Sequence, residues 1–391
     1  MLLTRGIKTS LQRELDSFYK EVTGSDFNIR EVTKGAFSRA RAKLNPNAFV
    51  EMNENVIGTF YDEAPYLCWH GMRLLACDGT RLALPRHESV VEEFGEHSFG
   101  PHANSKRSLA IGSFLYDTLN FVTLDAQLAP YQSSEGKLLQ KHLEKVQEGD
   151  LLLLDRGYPS LALMFQLHCM GVEFCIRMKE NWWLDVKRFA ESGEKDQIVS
   201  FRLPTKDGHL KNTYPKCPEQ LNCRLIAVDL PGGKKEILCT SLTEGKYTYE
   251  DICELYPHRW SVEEGYKLFK ARAEVEYFSG KTARAVKQDF HAKVFMMSLC
   301  AVLAFPIEEK VRKEHLHQQR KHPKKINRTA ALSLTTNLAI GLFLKRKIND
   351  ALHAFDSIVS RTTEIIRPGR KFERKKRSKP QPLYNQTYKR I

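Results

Sequence analysis

The chemically most suggestive feature of the sequence is a set of four polar side chains between residues 256 and 270. They are Tyr256, Arg259, Glu263 and Lys270. If this segment is one α-helix, with about 100° per residue, the four side chains project within an arc of about 60°. A face that aligns one carboxylate with two cations and a phenol suits a site where the acid holds a metal ion and its neighbours bind phosphates.

A second acid competes for the same role. Glu264 follows Glu263 directly, and Ser261 and Glu264 have the spacing of a capping box, which gives Glu264 a local task at a helix start. Glu264 also lies about 100° away from the stripe on a helix. Glu263 is therefore the predicted acid.

The Tyr-Arg-Glu-Lys pattern resembles the signature of the bacterial DDE insertion-sequence transposases, in the hairpin-forming group often called the insertion-sequence-four family. The resemblance covers most of residues 30–300 and implies two upstream aspartates, each at the end of a hydrophobic strand. Asp78 ends the run Met72-Arg-Leu-Leu-Ala-Cys-Asp78, and Asp155 ends Asp150-Leu-Leu-Leu-Leu-Asp155. A strand-terminal aspartate alone is most often a turn residue. Together with the stripe, the two predict a catalytic and metal-binding set of Asp78, Asp155 and Glu263.

Three converging carboxylates in a basic protein are suited to hold two divalent cations about 4 Å apart for an in-line phosphodiester displacement. Carboxylate oxygens are hard ligands of the kind that Mg²⁺ prefers. We therefore expect two Mg²⁺ per active site, with Mn²⁺ able to substitute.

The resemblance also implies roles for the neighbours of Glu263. Tyr256, Arg259 and Lys270 would bind phosphates near the cleaved end, and Trp260 would help to hold a base turned out of the duplex. A DNA hairpin requires such an extruded base, and an aromatic face compensates for its lost stacking. The alternative for Trp260 is packing in the core.

In the resembled group a second aromatic residue, from a β-rich insertion, contacts the same base. Trp182 and Trp183 are both candidates, and their spacing does not choose between them. Arg177 lies at the end of a predicted strand and points toward the same edge of the site as these aromatic residues. Phosphate binding and a plain salt bridge are equally compatible with its position.

Composition points to a nucleic-acid partner. The 391 residues include 61 Lys and Arg against 47 Asp and Glu, a net charge of +14, while the 42% hydrophobic content is that of a folded protein. A folded chain of this charge is typical of proteins that bind a polyanion. We therefore predict double-stranded DNA as partner, as transposon terminal inverted repeats and as target DNA.

Nothing in the sequence predicts a membrane partner or export. The N-terminus lacks the continuous apolar core of a signal peptide. The longest apolar run, Val294 to Phe305, is too short to span a bilayer and predicts a buried helix. The nine cysteines contain no Cys-x-x-Cys pair, which favours reduced structural thiols. A cytoplasmic, nucleoid-associated protein is expected.

Residues 1–70 are predicted to be a helical DNA-binding region. Thr33 is a plausible N-cap for a helix over residues 34–44. An ordinary amphipathic helix with outward cations is the alternative interpretation. The resemblance favours DNA contact by the cations of this helix, which are Lys34, Arg39, Arg41 and Lys43.

The predicted fold class is α/β, a ribonuclease-H-like catalytic core interrupted by a β-rich insertion, with helical N-terminal and C-terminal regions. The first part of the core is predicted to contain, in this order, three strands in a meander, a helix, a fourth strand, a helix starting at Pro159 and a fifth strand. In that order the strands of Asp78 and Asp155 are neighbours. The predicted regions after residue 70 are 71–179 (core), 180–243 (insertion), 244–305 (core, with the Glu-bearing helix) and 306–391 (helical, ending in a basic tail).

The function predicted from these features is cut-and-paste DNA transposition through a hairpin intermediate, by a homodimer in the nucleoprotein complex. The alternative from another class is a catalytically silent, transposon-derived DNA-binding protein or repressor. The weaker enzymatic alternative is a metal-dependent nuclease without strand transfer.

Overall fold

The fold is built on a large mixed sheet covered by helices on both faces. A computed structural model describes residues 2–7, 9–99, 105–230, 234–317, 322–344 and 347–366. The strands are β1 (Leu74–Ala83), β2 (His97–Phe99), β3 (Ser105–Arg107), β4 (Leu109–Asp117), β5 (Thr123–Pro130), β6 (Leu151–Leu154), β7 (Glu173–Met178), β8 (Asp196–Arg202), β9 (Gln220–Leu230), β10 (Lys234–Thr240), β11 (Lys324–Ile326) and β12 (Thr363–Ile365).

The helices lie on both sides of this sheet and make up most of the N-terminal and C-terminal parts of the described chain. They are α1 (Leu2–Arg5), α2 (Leu11–Thr23), α3 (Lys34–Lys43), α4 (Asn47–Glu63), α5 (Glu88–Phe94), α6 (Glu135–His142), α7 (Leu161–Cys169), α8 (Leu184–Ser192), α9 (Leu210–Thr213), α10 (Tyr249–Leu255), α11 (Trp260–Ala271), α12 (Ala283–His317), α13 (Arg328–Phe343) and α14 (Ile348–Arg361). The predicted basic tail after Arg367 lies outside the described residues.

Eight strands form the main sheet in the order β5-β4-β1-β6-β7-β10-β9-β8. β1 is antiparallel to β4 and parallel to β6, and β6 is parallel to β7. The strands that carry Asp78 and precede Asp155 are therefore neighbours, as predicted. The predicted meander, fourth strand and fifth strand are also present, as β1, β4 and β5, then β6 and β7.

The strands of residues 180–243 continue the main sheet. β10 pairs antiparallel with β7, and β9 and β8 follow outward. β9 and β10 form a β-hairpin, although its turn, residues 231–233, lies outside the described part of the chain. This segment also contains a helix, α8, so it is a mixed extension of the sheet.

Both faces of the sheet are buried at the first half of β1. Leu74 and Ala76 of β1 pack on the side of α11 and α12, whereas Leu75 and Cys77 pack on the side of α6 and α7. Because successive strand residues point to opposite faces, a strand covered on both sides is a continuous hydrophobic run. The run that precedes Asp78 has this pattern.

The helix α12 is the centre of one helical layer. The predicted buried helix over the run Val294–Phe305 is confirmed inside it. By length and composition α12 could cross a membrane, but 72% of its most apolar stretch is buried inside the protein. It is a core helix, against which α1, α4 and α13 pack.

One predicted helix start is wrong. Pro159 was expected at the first position of the helix after Asp155, but α7 begins at Leu161, with Ser160 as its N-cap. The Ser160 hydroxyl accepts a hydrogen bond from the Leu163 amide at 3.1 Å. A serine that binds an otherwise unpaired helix amide is the stronger start signal.

Candidate active site

The candidate site lies where β1 and β6 part. The two strands pair only from Leu74–Ala76 to Leu151–Leu153, and β6 ends at Leu154 while β1 continues to Ala83. Asp155 therefore follows the carboxyl end of a parallel strand, as predicted. Crevices at such strand ends are the usual ligand sites of mixed and parallel sheets.

Asp78 does not end its strand, contrary to the prediction. It lies inside β1, opposite Phe114 of β4, and the β1–β4 pairing continues to Ala83. The sequence signal for a strand end was the transition from apolar to polar residues. The ladder to β4 overrides that transition, because hydrogen bonding to a neighbouring strand does not depend on side-chain polarity.

The negative charge of the Asp78 carboxylate is only partly compensated by its neighbours. It accepts a hydrogen bond from the Gly79 amide at 2.8 Å, and its other oxygen is 3.6 Å from Nη1 of Arg259. Burial raises its pKa to about 6, against the opposing effects of Gly79 and Arg259, and the charges of Asp155 and Glu135 raise it further. Asp78 is thus a buried acid among other acids.

The backbone of Asp78 is held from both sides of the sheet. Its carbonyl oxygen accepts hydrogen bonds from the hydroxyl of Tyr266 on α11 and from the hydroxyl of Ser113 on β4, the latter at 3.3 Å. Ser113 is in turn 2.9 Å from Nε2 of His142, whose Nδ1 is 2.7 Å from Asp125. This buried chain fixes the position of Asp78.

Arg259 joins two of the predicted acids. Its Nη2 donates to Glu263 at 2.8 Å, and its Nη1 is the group that faces Asp78. The side chain is only 6% exposed, and its Nε has no hydrogen-bond partner in the described part of the protein. One incompletely satisfied guanidinium therefore stands between Asp78 and Glu263.

The four stripe residues do not share one α-helix. Tyr256–Arg259 is a 3₁₀ turn, and α11 starts only at Trp260. The predicted capping box of Ser261 and Glu264 is absent, because Ser261 already lies inside α11. A capping box is present instead one helix earlier, at Thr248 and Asp251 of α10.

Glu263 and Glu264 have different environments. Glu263 binds Arg259, whereas Glu264 is exposed and lies on a pocket with Arg328 and Lys325, away from Asp78. The choice of Glu263 over Glu264 as the candidate acid agrees with this arrangement.

A fourth acid at the site was missed by the sequence reasoning. A Cβ placed on Gly79 would be 2.7 Å from Oε1 of Glu135, and one on Gly157 would be 3.4 Å from Oε2 of Glu135 and 3.0 Å from Oδ1 of Asp155. Glu135 therefore lies against both aspartate-bearing segments. Burial raises its pKa, and the charge of Asp155 raises it further. Its only sequence signal was a position just after Ser134, which reads as ordinary helix capping.

The acids form a donor set that fits a hard divalent cation, because all their ligand atoms are carboxylate oxygens and burial among like charges disfavours their ionised forms without a cation. Within the described ranges, however, no three His, Cys, Asp or Glu side chains are arranged closely enough to hold a metal ion. The convergence of all three predicted acids on metals thus stays a prediction.

Tyr256 and Lys270 both use their polar ends for the protein itself. The buried Tyr256 hydroxyl donates to the carbonyl of Leu154, the residue before Asp155, at 3.2 Å. The Lys270 ammonium donates to the carbonyl of Arg81 on β1. Burial lowers the pKa of Lys270, the charge of Glu276 opposes this shift, and the charge of Arg81 adds to it.

Arg177 forms the salt bridge that was one of its two predicted alternatives. Its Nε is 3.0 Å from Glu236, on the neighbouring strand β10. Burial raises the pKa of Glu236, while Arg177 and Arg259 oppose that shift.

The three tryptophans differ in exposure. Trp260 is 49% exposed, so the core-packing alternative for it is wrong, and the Arg259 guanidinium lies 5.3 Å from its ring centre. Trp182 is 48% exposed, with the Lys179 ammonium 4.5 Å from its ring centre. Trp183 packs edge-to-face on Phe201 at 5.3 Å. Of the two insertion tryptophans, Trp182 is the one that presents an aromatic face.

The N-terminal cations fall into two groups. Thr33 caps α3 as predicted, accepting a hydrogen bond from the Ala36 amide at 3.2 Å. Lys34, Arg39 and Lys43 are exposed. The Arg41 side chain turns instead toward α12, where it pairs with Asp289 at 2.8 Å.

Comparison with known proteins shows the family of the chain. The family described as "Transposase DDE domain" matches residues 69–300, more than half of the chain. The chain is 23% identical over 252 residues, 61% of its length, to "Transposase InsG for insertion sequence element IS4" of Escherichia coli (strain K12). It is 25% identical over 103 residues, 26% of its length, to "Putative transposase InsZ" of the same organism.

These alignments cover 53% of InsG and 34% of InsZ, so the chain spans about half or less of the length of these relatives. The family match includes β1, the Asp155 turn and α11, the three elements that carry the predicted acids. On this match, the chain belongs to the transposase DDE domain family.

Proposed function

We propose that this protein is a cut-and-paste transposase, which nicks DNA at the ends of an insertion sequence and joins those ends to target DNA. The observation that carries the proposal is the group of acids where β1 and β6 part. There one buried guanidinium contacts both Asp78 and Glu263, and Asp155 lies within electrostatic range of Asp78. A ribonuclease-H-like core is part of the proposal, and the strand order β5-β4-β1-β6-β7 supports it.

Asp78, Asp155 and Glu263 would hold two Mg²⁺, for which Mn²⁺ would substitute. When bound, the two ions would activate the attacking oxygen and stabilise the leaving oxygen of an in-line displacement. Cations bound to the acids would compete with Arg259 for Asp78 and Glu263. The guanidinium freed in this way would be available for a bidentate contact with a DNA phosphate beside the reacting bond.

The remaining residues would orient the DNA. Arg259 and Lys270 would bind phosphates, while Tyr256, through its bond to Leu154, would fix the strand end that carries Asp155. Hairpin formation needs an extruded base, and the exposed rings of Trp260 and Trp182 are the candidates to stack on it. Arg259→Ala should therefore let nicked DNA accumulate while hairpin product falls. Equal slowing of every step would remove the support for the hairpin.

End recognition is proposed for the exposed cations of α3. Removing Lys34, Arg39 and Lys43 together should weaken binding to terminal-repeat DNA and flatten its salt dependence, since fewer counterions are released. Because Arg41 is bound inside the protein, its substitution tests packing and not DNA contact. The protein would act as a homodimer in the nucleoprotein complex. It would be cytoplasmic and associated with the nucleoid.

The decisive experiment incubates purified protein with DNA that carries the flanking terminal repeats, with and without Mg²⁺. Asp155→Ala should lower cleavage on the order of 10³-fold or more, as loss of a catalytic group does, while terminal-repeat binding remains. Asp185→Ala, an exposed aspartate of α8, is the matched control and should leave both unchanged. DNA binding without any Mg²⁺-dependent cleavage by the wild type would instead identify a silent DNA-binding protein or repressor. Cleavage without joining would identify a nuclease.

A further inference from the structure

We propose that Arg81 and Tyr131 form a second DNA contact, which binds the backbone of the strand on the far side of the reacting phosphate. The inference rests on the proposed function and adds a binding site to it. The ligand chemistry is a phosphodiester next to a base, and it can come either from the DNA that flanks the element or from target DNA.

The pair is preorganised. Arg81 lies on β1, and its Nη2 donates to the Tyr131 hydroxyl at 2.6 Å. The centre of its guanidinium is 4.7 Å from the centre of the Tyr131 ring, so the cation is stacked as well as hydrogen-bonded. A guanidinium fixed in this way loses little further side-chain entropy when it binds a phosphate.

The charge of Arg81 lacks a counter-ion. Arg81 is exposed, and within the described ranges no carboxylate forms an ion pair with it. The ammonium of Lys270 lies against its backbone carbonyl, so a second cation stands next to the first. Glu276, which accepts a hydrogen bond from the Ala83 amide at 2.8 Å, offsets part of the charge of Lys270. The repulsion between Arg81 and Lys270 that remains is removed by a polyanionic ligand.

The pair occupies the opposite face of β1 from Asp78 and Arg259. Asp78 faces α11 and Arg259, whereas Gly79, one residue on, faces Glu135 of α6. Arg81 is two residues after Gly79 and therefore shares the α6 face. If the end of the insertion sequence binds on the α11 face, a DNA strand that continues past Asp78 reaches Arg81 and Tyr131. An aromatic ring with a stacked guanidinium suits such a strand, because every base and every phosphate has a partner there.

The test measures binding by fluorescence anisotropy in EDTA, so that no cleavage occurs. Three DNAs are compared: an element end with flanking duplex, the same end already cleaved, and an unrelated duplex that stands for target. Arg81→Ala should weaken binding to the flanked end at least fivefold and reduce the salt slope by about one, as the loss of one phosphate contact does. Binding to the cleaved end should not change.

Arg188→Ala, an exposed arginine of α8, is the matched control and should change no affinity. Arg81→Lys should restore the salt slope but not the full affinity, because lysine keeps the charge without the planar stack. If Arg81→Ala has a lowered melting temperature, Arg81→Lys serves as the variant that tests the contact in a folded protein. Weaker binding confined to the unrelated duplex would assign the contact to target DNA.

Unchanged binding to all three DNAs, or equal weakening on all three, would overturn the inference. These outcomes are distinct from failure of the proposed function. If the wild-type protein itself does not bind element ends, the proposed function fails. If it binds them and Arg81→Ala binds them equally well, only the second contact fails.

Discussion

Two buried arginines, Arg41 and Arg259, differ in how completely their guanidinium groups are satisfied. Nε, Nη1 and Nη2 of Arg41 all donate, at 2.6 to 3.0 Å, to acceptors brought by α12 and the segment before it. These acceptors are Gln288, Ser279, Ala285 and Asp289. Among the residues that the structure describes, Arg259 makes one hydrogen bond, to Glu263, lies 3.6 Å from Asp78, and has no partner for its Nε.

The difference separates structure from function. Buried polar groups in stable folds are hydrogen-bonded almost without exception, so the Arg41 network has the properties of a structural joint between α3 and α12. Incomplete pairing of buried charges is concentrated at functional sites, because the missing partners are supplied by substrate or cofactor. The buried pair of His142 and Asp125 belongs with Arg41, since both ring nitrogens of His142 have partners.

The largest effect should come from breaking the satisfied network. Arg41→Ala leaves the Asp289 carboxylate buried without its cation and should lower the free energy of unfolding by about 3–5 kcal/mol. Arg39→Ala, on the exposed side of the same helix, should change it by less than about 0.5 kcal/mol. Urea denaturation measures both. Equal effects of the two substitutions would mean that the Arg41 network does not join α3 to α12.

The His142 pair should make stability depend on pH. Burial alone would lower the pKa of His142, but Cys77 and Asp125 raise it to about 9. A histidine with a raised pKa contributes its full stabilisation below about 6.5 and loses it as the pH rises through about 9. The free energy of unfolding should fall by on the order of 3 kcal/mol over that interval. His142→Gln should remove this dependence, and a variant that keeps it would show that another group titrates.

At the incompletely paired site around Arg259, removal of an acidic charge should raise the free energy of unfolding, whereas at the Arg41 network it should lower it. Because burial raises the pKa of Asp78 to about 6, ionised Asp78 destabilises the fold at neutral pH. Asp78→Asn should therefore raise the free energy of unfolding by about 2 kcal/mol at neutral pH without metal, while abolishing cleavage. Asp289→Asn, at the satisfied network, should lower it. Destabilisation by both substitutions would erase the distinction between the two regions.

The smallest expected effect is that of the cation itself. Mg²⁺ at about ten times its Kd should raise the free energy of unfolding of the wild type by about 1.4 kcal/mol, since it binds only the folded site. Asp155→Asn should lose most of this gain, and Arg41→Ala should keep it. A gain that persists in Asp155→Asn would place the bound Mg²⁺ elsewhere on the protein.

The local patterns of the sequence predicted much of the core. The strands that became β4, β6 and β7, the Thr33 cap and the exposed cations of α3 follow from the residues within a few positions of each. Asp155 at the end of β6 is in the same class, because a short apolar run bounded by a turn is a local signal. The four-residue signature identified the family even though the helix assumed for it begins only at Trp260.

Other features depended on partners distant in sequence. Asp78 stays within a strand because β4 continues to pair with β1, and Arg41 is buried because Asp289, 248 residues away, meets it. Glu135 gave no sign of its place between Gly79 and Gly157. The partial burial of Trp183 likewise depends on Phe201, which lies on the strand β8.

The sequence by itself determined the family and the candidate acids, since residue types and spacings specify which atoms are present and how nearby elements present them. Only the tertiary structure decided which charges are satisfied. Burial, desolvation and pairing arise when segments far apart in the chain pack together, and their energies depend on distances that no local pattern contains. Arg41 and Arg259 are both cations in the sequence, and packing makes one a joint and leaves the other open to a ligand.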